Sequence, residues 1–234
     1  MFSATFEKPV GVKTKVQLVY NLNQTCGWFY VAYLMIMISF DSNPNALLAT
    51  ETFPAVGSMV VLLCQLSFLE IPLAVFKIIP SSVVVVLAQL IARNIVILVT
   101  VNRHPSVQSS PAVFLFVLAW TLTETVRFPW LMFKTLGTPP YILSYIRYAS
   151  PVLLYPLGAV GEFWSMYNAH ATVGATDVLL SVQTFNLTLN HIIQYIYFPL
   201  FVPGFLYLWM NAVGNFKKQS KRLNIALETK LKQK

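Results

Sequence analysis

Apolar residues fill this chain in long blocks with little one-faced periodicity, so its helices are expected to be hydrophobic nearly all round. Crossing a bilayer takes about 20 helical residues. Six blocks reach that length: Leu18–Phe40, Ala55–Phe76, Ser82–Thr100, Pro111–Phe133, Tyr141–Trp164 and Ile192–Phe216. The pattern predicts an all-α fold, a polytopic membrane protein built as a six-transmembrane-helix bundle. It divides the chain into a polar N-terminus (1–17), one membrane domain (18–216) and a basic tail (217–234). The connections between blocks are read as loops, including the long one from Ser165 to His191.

Composition agrees. Of the 234 residues 56% are hydrophobic and only 10% charged, where soluble domains carry about 25% charged residues. Beside several spans no length remains for a sizeable soluble domain. The net charge of +8 does not point to nucleic acid, because seven of the sixteen basic residues lie in the tail from Lys217 to Lys234. Such a tail is a topology signal and a contact for anionic lipid. Lys and Arg outside the blocks fall twelve on the side of the termini and one, Arg103, on the other. The positive-inside rule then places both termini in the cytosol. Met1 to Gln17 has no apolar core of signal-peptide type, and the first helix is expected to target the chain. Asn186-Leu187-Thr188 is a glycosylation sequon in the long non-cytosolic loop. Lys230-Leu231-Lys232-Gln233-Lys234 resembles a dilysine signal for the endoplasmic reticulum membrane. Cys26 and Cys64 are expected as buried free thiols. His104, His170 and His191 lie in loops without ligand spacing, so no metal is expected and solvated rings are.

Charges inside the blocks are costly and so informative. Glu70, Glu124 and Glu162 match Arg93, Arg127 and Arg147 in number. Glu124 and Arg127 are spaced to pair on one helix, and Glu70 with Arg93 is the candidate pair between helices. These groups serve either as polar glue holding the bundle in register or as the lining of a substrate channel. Glu162 differs, having no basic residue three or four positions away. Tyr155 stands seven residues before it, close to two helical turns, so the two share a face about 10 Å apart along the axis. Pro151 and Pro156 bend that segment and Gly158 and Gly161 thin it, which is where a hollow is expected to open. Buried phenol and buried carboxyl make the minimum kit for acid–base chemistry on a lipid-like molecule. An interfacial glutamate and a tyrosine of the aromatic belt are the bland alternatives.

Several patterns together resemble the very-long-chain 3-hydroxyacyl-CoA dehydratase family, also called protein tyrosine phosphatase-like, member A. They are Tyr20-Asn21 with Trp28, Leu69-Glu70-Ile71, Gln89 and Arg93, Trp120 with Glu124 and Arg127, and above all Arg147-Tyr148 followed by Leu154-Tyr155-Pro156, Gly158 and Glu162. The chain departs from the family pattern at Leu73, Phe128 and Pro151. The resemblance implies dehydration of a very-long-chain (3R)-3-hydroxyacyl-CoA to the trans-2-enoyl-CoA in fatty-acid elongation. Tyr155 and Glu162 would be the catalytic pair, with Arg147, Tyr148, Gly158, Arg127, Glu124, Arg93 and Gln89 binding substrate or supporting the site. No cofactor is implied, since the coenzyme A thioester is substrate. The implied partners are the bilayer and the other elongase enzymes. Arg147, Lys77 and Lys134 are the candidates for holding the phosphates. Phosphatase chemistry is excluded, because a phosphate-cradling Arg six residues after a Cys is missing: Glu70 follows Cys64 at that distance and Ala32 follows Cys26. Other readings of the same residues are a silent elongase scaffold and a small proton-coupled transporter.

Overall fold

The computed structural model describes residues 11–40, 51–79, 82–173, 177–182 and 185–232. The helices are α1 (Val12–Phe40), α2 (Thr52–Leu66), α3 (Glu70–Val75), α4 (Val83–Asn94), α5 (Pro105–Gln108), α6 (Pro111–Leu136), α7 (Tyr141–Val173), α8 (Leu189–Ile192) and α9 (Phe198–Lys232). A 3₁₀ turn (Ser67–Leu69) joins α2 to α3, and π-helical turns extend α4 (Ile95–Val101) and link α8 to α9 (Ile193–Tyr197). Among the described residues these make six rods, one for each apolar block. Three stretches are long and apolar enough to cross a membrane: Thr52–Val75, Pro111–Leu136 and Leu189–Arg222; Val86–Val101 is a shorter apolar helix. The all-α membrane class stands on these. The rods α1 and α7 carry polar residues turned inward, such as Asn21 and Gln24 on α1 and Ser144 and Ser165 on α7, which lowers their mean hydropathy.

Local chemistry sets the breaks. Pro72 has no N–H for the Phe68 carbonyl one turn back, and the chain tightens into 3₁₀ geometry there. The rod ends in a Schellman motif, with Ile78 N–H on Leu73 O (2.8 Å), Lys77 N–H on Ala74 O (3.0 Å) and Lys77 at φ 51. Pro111 opens α6 behind Ser110, whose Oγ accepts from Ala112 N–H (3.2 Å). Gly137, at φ 151, closes it.

The long loop expected from Ser165 to His191 is largely ordered. The helix α7 runs on to Val173, and a hairpin follows, β1 (Val178–Val182) antiparallel to β2 (Phe185–Thr188) with Val178 opposite Thr188 and a bulge between Val178 and Leu180. Asp177 ties it to the bundle by accepting from Arg103 Nη2 (2.9 Å) and lying 3.0 Å from His104 Nε2. The histidines expected as solvated are therefore engaged: His170 Nδ1 lies 3.1 Å from Asn190 Oδ1, and His191 Nδ1 accepts from Thr188 N–H (3.1 Å). Asn186 is exposed on β2 and accepts from Ser181 Oγ (2.6 Å). The tail continues α9 as one helix to Lys232. Lys234 and the connection 41–50 lie outside the described residues, as does the N-terminal stretch 1–10.

Trp28, Leu63, Phe116, Phe128 and Ile97 are fully buried at the centre. Large apolar side chains also point outward, among them Leu153, Val160 and Leu200, as a lipid-facing surface requires. Cys64 is buried, while Cys26 is exposed, against the expectation for both. Helix α7 lies directly on α6 at Gly161, where an added Cβ would stand 2.6 Å from Phe116 N and 2.9 Å from Ala112 O. Gly161→Ala is expected to destabilise the protein by about 1–3 kcal/mol, read as a lower thermal midpoint in detergent. Gly214→Ala, with nothing within 4 Å, is expected to leave that midpoint unchanged or raise it.

Candidate active site

Arg147, Pro151, Tyr155, Gly158 and Glu162 follow one another along α7 at steps of four, four, three and four, which is one helical stripe. Pro156 has no N–H for the Val152 carbonyl. Trp209 of α9 takes that role, its Nε1–H donating to Val152 O at 3.0 Å. The bend is thus sealed from the neighbouring helix, and α7 stays helical through Tyr155 and Glu162.

At the Arg147 end of the stripe a cavity of about 180 Å³ lies between α7 and α9. Arg147, Tyr148, Pro151 and Tyr155 form one wall, and Leu208, Asn211, Ala212 and Asn215 the other. Tyr148 packs edge-on against Trp130, with ring centroids 5.7 Å apart. Arg147 makes no salt bridge among the described residues, and its buried Nε has no hydrogen-bond partner there.

Glu162 does not line this cavity. Its Oε1 accepts from Trp120 Nε1–H of α6 at 2.7 Å, and Gly158 beside it faces the Ala119 methyl. The expected single hollow holding both groups is therefore replaced by two settings on one stripe: the phenol in the cavity, the carboxyl at the α6–α7 contact.

A buried polar chain leads from Glu162 across the bundle. The Arg93 guanidinium lies 4.2 Å from the Trp120 ring centroid and 5.2 Å from that of Trp28. Arg93 Nη1 donates to Glu124 Oε1 (2.6 Å), and Arg127 donates to both Glu124 Oε2 (2.5 Å) and Glu70 Oε1 (3.2 Å). Tyr20 O–H donates to Glu70 Oε1 (2.9 Å), and Gln24 links Tyr20 to Trp28. Two acids meet two guanidiniums, so the centre is neutral and Glu162 is the acid left over. The Glu124–Arg127 pair forms as spaced. The expected Glu70–Arg93 pair does not: Arg127 takes Glu70 and Glu124 takes Arg93.

Other expected residues fall elsewhere. Gln89 is exposed on α4 and makes no hydrogen bond among the described residues, outside both settings. Lys134 lies over the Trp130 ring at 4.8 Å, and neither it nor Lys77 lines the cavity. Leu73 is core, Phe128 packs edge-on against Tyr20 with centroids 6.0 Å apart, and Pro151 forms cavity wall. Trp120 as the hydrogen-bond partner of Glu162 was not legible; a tryptophan one turn from Glu124 was its only signal. Asn211 and Asn215, two amides four apart in an otherwise apolar helix, were legible and went unread.

Fold and site together define an all-α membrane protein with a surplus half-buried acid and a cavity-facing phenol on one bent helix. The chain belongs to the family described as protein tyrosine phosphatase-like protein, PTPLA, whose model matches residues 65–222. It is 32% identical to very-long-chain (3R)-3-hydroxyacyl-CoA dehydratase 2 of Mus musculus over 69% of this chain and 62% of that protein. It is 31% identical to dehydratase 2 of Homo sapiens over 67% of this chain and 60% of that protein. To dehydratase 1 of Canis lupus familiaris it is 28% identical over 85% and 80%. The matches thus span about three fifths of the length of the two dehydratase 2 proteins. No solved structure matches the chain.

Proposed function

We propose that this protein removes water from a very-long-chain (3R)-3-hydroxyacyl-CoA, giving the trans-2-enoyl-CoA, as a step of fatty-acid elongation. The observation that carries the reading is the acid left over at Glu162, on the same α7 stripe as the cavity-facing phenol of Tyr155, in a chain of this family. Glu162 takes the proton at C2, and the electron pair released forms the C2–C3 double bond. Tyr155 donates its proton to the departing C3 oxygen, which leaves as water. The proton on Glu162 then returns to the phenolate and resets the site. The two groups sit about 10 Å apart along the helix axis, so the reacting carbons lie between them, over Gly158. Catalytic contacts in unliganded proteins are often long and tighten on binding. Arg147, beside Tyr155 in the cavity, offsets negative charge on the phenolate.

All six rods cross the bilayer in this reading, with residues 18–216 as one catalytic domain. Both termini, the Lys217 end of α9 included, are cytosolic, in the endoplasmic reticulum membrane and beside the other elongation enzymes. The hairpin end, with Asn186, faces the lumen. The thioester needs no further cofactor.

The test is to incubate purified full-length protein with a long-chain 3-hydroxyacyl-CoA and follow the enoyl product by mass spectrometry. Product formation is expected, and its absence from folded protein overturns the reading in favour of a silent scaffold. Trp120→Phe keeps an aromatic face for Arg93 but removes the donor to Glu162. It is expected to lower kcat about 10- to 100-fold, the loss of one hydrogen bond to a charged group, with KM little changed in steady-state kinetics.

A further inference from the structure

We propose that the cleft between α7 and α9 seats the pantetheine arm of coenzyme A, with Asn211 and Asn215 as its amide-recognising residues. We further propose that Lys218 and Arg222 hold the phosphates beyond it. This rests on the dehydratase reading above. Between Phe198 and Phe216, α9 is apolar apart from Asn211 and Asn215, and both line the cavity. Neither makes a hydrogen bond to another described residue. A side-chain amide in a membrane segment is costly without a partner, and here two of them face one void. Opposite them stands Arg147, whose buried Nε also has no partner.

The chemistry of the lining selects the ligand. A side-chain amide offers both a donor and an acceptor, the complement of another amide. Two asparagines four apart on a helix are separated by about 6 Å along its axis. Pantetheine carries two amides joined by two methylenes, a spacing of that order, on a chain thin enough for a narrow cleft. An acyl tail or a phospholipid chain presents no such pair. The stripe then continues: Asn211, Asn215, Lys218 and Arg222 follow at steps of four, three and four on one unbroken helix. Lys218 and Arg222 are exposed and begin about one turn past Asn215, where the diphosphate of a seated coenzyme A would emerge. The cleft therefore replaces Lys77 and Lys134 as the route from the cytosolic side, and Tyr155 stands at its inner end, where the thioester arrives.

The experiment compares Asn211→Ala/Asn215→Ala, Lys218→Ala/Arg222→Ala and the off-stripe control Lys217→Ala/Lys221→Ala. Each is assayed in detergent with one acyl chain carried on coenzyme A and on pantetheine. The asparagine pair is expected to raise KM for both thioesters about 10- to 100-fold, with kcat within about threefold. The Lys218/Arg222 pair is expected to raise KM about tenfold for the coenzyme A thioester alone, and the control pair to change neither. Equal effects of the two basic pairs would overturn the stripe in favour of diffuse charge on the tail. An unchanged KM in the asparagine pair would overturn the cleft. Calorimetric titration with coenzyme A itself, on samples matched by size-exclusion profile, reads the site without turnover. Weakened binding of the same variants is expected there, and unweakened binding overturns the proposal. Wild-type protein that binds coenzyme A but makes no enoyl product refutes the dehydratase reading and leaves the cleft standing.

Discussion

Glu162→Gln is expected to lower kcat for dehydration by about 10²–10⁴-fold, the usual contribution of a positioned acid or base, while KM stays within a few-fold. The substituted side chain is the same size, and its amide oxygen can still accept from Trp120 Nε1, as the carboxylate does at 2.7 Å. Packing against Ala119 and Trp120 is therefore preserved, and what is lost is the ability to take a proton. Tyr155→Phe is the companion. It removes one oxygen from the cavity wall and leaves the ring beside Tyr148 and Pro151, with an expected loss in kcat of the same size. Because the two groups act on one elimination, the double variant is expected to fall little below either single one, since residues that act as a unit are not additive. Steady-state kinetics on the three proteins, each with wild-type behaviour on size exclusion, checks this. If Glu162→Gln kept more than a tenth of the activity, the base would have to be sought in the Tyr155 cavity.

What could be read from the sequence follows the range of the forces involved. The six rods were legible because apolar blocks of membrane length have few alternatives, and the bend in α7 because proline deletes a donor wherever it stands. The shared face of Tyr155 and Glu162 needed only the helical repeat. Pairing between helices was not legible, because it depends on which rods touch. Glu70 and Arg93 lie on consecutive rods, α3 and α4, yet the partner of Glu70 is Arg127 on α6. The hairpin escaped notice because its turn lacks the glycine or Asn-Gly pair that marks tight hairpins, although the stretch from Val178 to Thr188 is rich in strand-forming residues. That Trp209 would supply the donor Pro156 lacks, and that Glu162 would lie outside the Tyr155 cavity, are consequences of packing between α6, α7 and α9 that no local rule reports.

The centre of the bundle carries the second large expectation. Among the described residues Glu124 is the acid that Arg93 and Arg127 share, and it is 4% exposed. Glu124→Gln leaves a single amide oxygen to accept from two guanidiniums, turns an N–H₂ that cannot accept toward one of them, and leaves one positive charge uncompensated in low dielectric. Breaking a buried pair from one side costs about 3–5 kcal/mol, enough to lower the thermal midpoint markedly and reduce the monodisperse fraction in mild detergent. Adding Arg93→Met removes the surplus charge and leaves Arg127 with Glu70 and Tyr20. If uncompensated charge is what destabilises, the double variant is expected to recover most of the lost stability, a coupling that a double-mutant cycle measures. Activity should not return with it. Without Arg93 the Trp120 ring loses the cation stacked on its face, and Trp120 is the side chain that fixes Glu162. Stability restored with turnover still low would separate the two roles of the network: neutral glue for the rods, and a brace for the acid at its end. A Glu124→Gln protein as stable as wild type would mean that apolar packing alone sets the register of these helices.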